Sequence, residues 1–109
     1  MAKTFNFTSK DGKAYSLSFT RNTVIATENM GFSLGKIGDQ PIGMLMILWR
    51  GAFLADYDTL TIGEVDKLFE EIDKRGLMDA LVELYRAPIE SLFEEDEDNS
   101  KNVVKWTIN

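Results

Sequence analysis

The chain has no cysteine and no histidine among its 109 residues. The first absence excludes disulfides, thiolate metal sites and cysteine nucleophiles. The second removes the commonest general base, proton shuttle and transition-metal ligand. Together they argue against an enzyme and predict no cofactor, no metal site and no small-molecule substrate. No apolar run reaches the roughly 20 residues that a membrane-spanning helix needs. No signal-peptide core follows Met1-Ala2-Lys3-Thr4, which predicts that the chain is not secreted. Dense Lys/Arg clusters are also missing, which argues against a nucleic-acid surface.

What is present is acidic and unevenly spread. The net charge is −6, from 12 basic and 18 acidic residues. Five of the acids, Glu94 to Asp98, form one unbroken run, and outside it the two signs nearly balance. The run lacks the spaced oxygen ligands and central glycine of a calcium loop, so it reads as a solvated linker. At 44% hydrophobic residues, the chain can build one core but not two.

Residues 3 to 20 alternate as a β-hairpin. Phe5 and Phe7 lie in one arm and Tyr15, Leu17 and Phe19 in the other, with Asp11-Gly12 supplying the turn through positive φ at both central positions. A lone hairpin is marginal in water, so its aromatic face needs a helical body to lie on. Thr20 is placed to cap a helix over 21–30 that Gly31 ends. Phe32, Leu34 and Ile37 are the expected anchors of the connection that follows.

Pro41 opens the most unusual segment. Eleven of the fourteen residues from Ile42 to Ala55 are apolar, and Arg50 carries the only charge. A helix apolar on all sides has to be buried on all sides. Two readings stay open: a central core helix, or a helix with one face docked on another subunit or on a client helix. Met44 and Met46 suit an adaptable surface, and Gly43 and Gly51 would admit a close neighbour. The candidate core and protein-binding residues are Met44, Leu45, Leu48, Trp49, Phe53 and Leu54.

Thr61-Ile62-Gly63-Glu64 is a capping box. Ile62, Val65, Leu68, Phe69 and Ile72 follow at helical spacing, and Glu70 to Lys74 is a favourable i,i+4 pair. Lys74, Arg75 and Gly76 read as the end of that helix. Leu77 to Phe93 is a second amphipathic helix with Leu77, Leu81, Leu84, Ile89 and Leu92 on its apolar stripe. Pro88 inside it predicts a kink or break near Ala87. After the acidic stretch, Val104, Trp106 and Ile108 alternate with Lys105 and Thr107. This is either a third strand for the hairpin or a detachable strand for a partner. Val104 and Trp106 complete the candidate protein-binding residues.

The expectation is therefore an α+β fold, a hairpin packed on a body of four helices. One domain covers residues 1–93, an acidic linker 94–102, and a docking strand 103–109.

Several segments together resemble a known family. These are the Asp-Gly hairpin, Phe19-Thr20-Arg21 leading to Glu28-Asn29-Met30-Gly31-Phe32, and Pro41-Ile42 with the helix ending Gly51-Ala52-Phe53-Leu54. Gly76-Leu77 follows, opening a helix with Ala80-Leu81 and Glu83-Leu84-Tyr85, and last comes Asn102-Val103-Val104-Lys105-Trp106-Thr107. The chain resembles the small tail assembly chaperones of long-tailed bacteriophages, of the type common in phages and prophages of Gram-positive bacteria. The resemblance implies a factor in the cytoplasm of the bacterial host that coats the aggregation-prone tape measure protein while the tail tube polymerises. It allows a homo-oligomer, and absence from the finished virion. It also implies a translational frameshift near the gene's end, where codons for Ser100-Lys101-Asn102 could form a slippery run. The alternatives from other classes are a structural virion component, such as a head–tail connector or tail accessory protein, and a small acidic adaptor or inhibitor of a host protein.

Overall fold

The computed structural model describes residues 3–93 and 104–108. Strands β1 (Phe5–Thr8) and β2 (Ala14–Leu17) pair antiparallel, with Phe5 opposite Leu17 and Phe7 opposite Tyr15. Period two therefore turns Phe5, Phe7, Tyr15 and Leu17 to one face. The turn differs from expectation. Gly12 N–H donates to the Ser9 carbonyl at 2.9 Å, Ser9 N–H donates to Lys13 at 2.9 Å, and only Gly12 has positive φ, at 89°. This is a three-residue loop closed by a glycine bulge, not a two-residue turn with both centres left-handed. Asp11 stabilises it by accepting from the Ser9 hydroxyl and, at 3.3 Å, from Lys13 N–H.

Helix α1 (Arg21–Asn29) starts at Thr20, whose hydroxyl accepts from Thr23 N–H while the Thr23 hydroxyl accepts from Thr20 N–H. It ends in a Schellman motif. Gly31 at φ 107° donates to Glu28, and Phe32 N–H reaches the Thr27 carbonyl at 3.3 Å. That geometry turns Phe32 into the core, whereas Leu34, in a short 3-10 turn (Leu34–Lys36), stays exposed and Ile37 is half-buried.

Helix α2 (Pro41–Ala52) begins with proline at its first position, where no N–H is needed. It is the centre of the molecule and contacts α1, α3 and α4. Trp49 is fully buried, with Phe5, Phe7, Phe53 and Phe69 around it at centroid distances of 5.1 to 6.2 Å. The hairpin's aromatic face thus lies on α2, as a two-stranded sheet requires. Trp49 Nε1 donates to the Val65 carbonyl at 2.9 Å, which satisfies the indole's one polar atom inside the core. At the free edge of β2, the Tyr57 hydroxyl accepts from Ser16 N–H at 2.9 Å while its ring packs on Tyr15.

Helix α3 (Ile62–Glu71) has the expected capping box between Thr61 and Glu64, and the Thr61 N–H and hydroxyl hold the Glu64 carboxyl below its usual range. It stops before Lys74, because Ile72 is already extended at ψ 148°. Lys74 still serves the helix end. Its Nζ donates to the carbonyls of Ile72 at 2.9 Å and Glu70 at 3.4 Å, and reaches no Glu70 carboxylate. Gly76, expected to close α3, opens α4 (Leu77–Phe93) instead: its φ is 69° and its carbonyl takes the first helical bond, from Ala80. Helix α4 runs through Pro88 without the expected break.

The fold is α+β, a hairpin with four helices. The acidic linker lies outside the described residues, as do the ends of the segment expected as the terminal strand. Its described part, 104–108, forms no strand and is exposed, so among the described residues the sheet has two strands.

Candidate protein-binding surface

The eight residues expected at a partner surface fall into three groups. Met44, Leu48, Trp49 and Phe53 are core, and none of them offers a face to a partner. The reason is helical geometry: they lie in the sector of α2 that α1, the hairpin, α3 and α4 close over. Leu45 and Leu54 are half-buried. Val104 and Trp106 are exposed at 88% and 77%. The central-helix reading of the apolar segment therefore holds for its main face. The opposite stripe, Met46, Ile47, Arg50 and Leu54, stays half-covered.

That stripe runs into an open groove of about 200 Å³, whose wall is mostly apolar. Met30 from the end of α1, Leu54 and Leu60 after α2, and Ile62 at the start of α3 line it, with Phe53 and Val65 among the deeper residues. Ile62 and Met30 are 64% and 43% exposed, so two large apolar side chains stand at the groove uncovered. Asp58 also lines it, and among the described residues it makes no hydrogen bond.

Arg50 forms part of the wall and is held in place. Its Nε and Nη2 bond both carboxylate oxygens of Asp66, at 3.0 and 2.7 Å. Each partner shifts the other: the shared hydrogen bonds raise Arg50 and hold the Asp66 carboxyl below its usual range. This two-pronged geometry fixes the guanidinium, so the one charge of α2 is neutralised beside the groove.

Met30 and Leu60 carry no helical pattern in the sequence, because one sits at a helix end and the other in a loop; Ile62, expected on the buried stripe of α3, instead stands exposed at the start of that helix. Their signal was available: large apolar residues at positions that capping leaves exposed. Their convergence depends on how α1, α2 and α3 pack.

Two larger clefts differ in character. One of about 820 Å³, between the hairpin turn and α3, is lined by Lys10, Asp11, Glu64, Lys67, Glu70 and Glu71 among others. Asp11 and Glu64 there are held ionised by neighbouring hydroxyl and N–H donors. Another, of about 580 Å³, lies along α4 with charges of both signs. Among the described residues no group of three acidic side chains is placed to hold a metal ion, and no helix is long and apolar enough to cross a membrane.

A helical α+β domain with an apolar groove is thus the class of protein that the fold defines. The whole chain, residues 1–109, matches the family described as Domain of unknown function (DUF5055), and the chain belongs to that family. No curated protein and no solved structure matches it.

Proposed function

We propose that this protein is a non-enzymatic tail assembly chaperone of long-tailed bacteriophages. It binds the tape measure protein in the cytoplasm of the bacterial host and keeps it soluble during tail assembly. The observation that carries the reading is the apolar groove of Met30, Leu54, Leu60 and Ile62, with Met46 and Ile47 half-buried on the same side of α2 beyond Arg50. A long helical client presents apolar residues at i, i+3, i+4 and i+7, and a groove of this kind receives them. The acidic run Glu94–Asp98 supports the same role, because like charge keeps complexes dispersed. The family resemblance supplies the identity of the client.

Co-expression tests it. A tape measure fragment that precipitates alone becomes soluble beside the wild-type chain, and precipitates again beside Ile62→Asp, a substitution at an exposed position. A fragment that stays insoluble with the wild type removes the proposal. Mature particles should lack the chaperone, whereas a virion component would remain in them.

A further inference from the structure

The terminal segment carries three large apolar side chains that are mostly exposed. Val104, Trp106 and Ile108 are exposed at 88%, 77% and 85%. In extended backbone they share one face, with Lys105 and Thr107 on the other. A tryptophan left in water forgoes one of the largest apolar burials a side chain can make. The same molecule holds an unfilled apolar groove, and its size suits that side chain. A dry apolar cavity of about 150 Å³ accepts a benzene ring, so a groove of about 200 Å³ is on the scale of an indole. Its chemistry suits as well. An indole buried there needs an acceptor for its N–H, and Asp58, on the wall, carries a carboxylate that makes no hydrogen bond among the described residues.

We infer that the segment Val104–Ile108 of one copy docks in the Met30–Leu54–Leu60–Ile62 groove of a second copy, with Trp106 as the anchor. In the single chain the three apolar side chains of the segment are mostly exposed. Ten residues separate it from α4, a reach of roughly 33–36 Å when extended. That is comparable with the molecule's two shorter dimensions, 32 and 25 Å, so the tail can span to a neighbour. A five-residue segment makes a small contact, the size class of weak and transient associations. This inference does not depend on the client-holding role: self-docking and client binding can each be true without the other.

Sedimentation equilibrium of the full chain across a micromolar concentration series tests it. Wild type should self-associate, and Trp106→Ser and Ile62→Asp should each weaken association by about tenfold or more. Both positions are exposed, so the circular dichroism of the body should not change. Mixing the two variants gives the sharper readout. The first keeps a groove and the second keeps a tail, so the mixture should associate where neither does alone. A wild-type chain that stays monomeric throughout the series overturns the inference. So does association that Trp106→Ser leaves intact. A monomer whose Trp106 is shielded from acrylamide places the tail in its own groove and likewise overturns it.

Discussion

Thr27 of α1 lies against Gly51 of α2 so closely that a Cβ on the glycine would stand 2.8 Å from Thr27 Cγ2 and overlap its hydroxyl oxygen. Thr27 is fully buried, and its hydroxyl donates back to the Thr23 carbonyl at 2.7 Å, so it cannot swing away at no cost. Gly51 is therefore what lets α1 seat on α2. Gly51→Ala should destabilise the protein by about 1–3 kcal/mol, as overpacking of a fixed contact does. Thr27→Ala frees the space, and the double variant should be less destabilised than the sum of the two singles. Urea midpoints of the four proteins supply the comparison, and strict additivity would contradict the contact.

The Arg50–Asp66 pair sets an acid dependence whose sign follows from the direction of the Asp66 shift. The carboxyl is held below its usual value in the folded chain, while in the unfolded chain it titrates near ~3.9. Between those values the unfolded state binds more protons. The pair's contribution is thus present above the unfolded value and lost as pH falls through the folded one. Both side chains are about a third exposed, at 36% and 31%, so the contribution at neutral pH should be only about 1 kcal/mol or less. Asp66→Asn should lower neutral stability by that small amount and flatten the loss of stability below about pH 4. Denaturation midpoints between neutral and strongly acidic pH check both effects.

Tyr85 governs the alkaline side. Burial pushes its phenol up to about 12, with the hydrogen bond it donates to Glu28 at 2.9 Å adding to the shift. The ring is wedged between Phe32 and Phe19, at centroid distances of 4.8 and 5.7 Å. An unfolded tyrosine titrates near ~10. The stabilisation is therefore complete below about pH 10 and is lost as pH rises toward 12. Tyr85→Phe keeps the ring and should cost about 0.5–1.5 kcal/mol at neutral pH, since Glu28 is exposed and can be hydrated. It should also remove part of the alkaline loss. Ultraviolet titration of phenolate formation, wild type against variant, identifies the late-titrating tyrosine.

How much of this was legible in the sequence depends on how local each signal is. The cap at Thr20 and the capping box at Thr61 are contained in four residues each, and the hairpin alternation needs only its own two arms. Gly76 was visible as a helix boundary, but the four residues after Glu71 are shared between two helices. Which helix the glycine serves depends on Ile72 turning extended. The apolar segment of α2 was legible as unusual, yet its burial was not: Trp49 vanishes because the hairpin folds back onto it from some forty residues away. Gly43 and Gly51 looked alike as points of close approach. Only Gly51 meets a neighbour, and nothing lies within 4 Å of a Cβ at Gly43. The groove is the least local feature, built from three helix ends.

Pro88 should be a removable defect in α4. It has no N–H, so the Leu84 carbonyl lacks its helical partner, and the ring crowds that same carbonyl. The helix nevertheless continues to Phe93, because Leu77, Leu81, Leu84 and Tyr85 bury one side of it against the core before the proline is reached. Interior proline costs a helix about 3 kcal/mol relative to alanine. Part of that is returned through the stiffer unfolded chain, about 0.4–1 kcal/mol. Pro88→Ala should then stabilise the protein by about 2–2.6 kcal/mol, and a domain of this size gains roughly 4–8 °C in Tm for each kcal/mol. Thermal melting gives the magnitude, and amide exchange over residues 88–92 should slow as the restored bond closes the helix. A fall in Tm would instead mean that the proline's bend seats Ile89, which is half-buried against the core, and that α4 is shaped by its packing rather than in spite of its sequence.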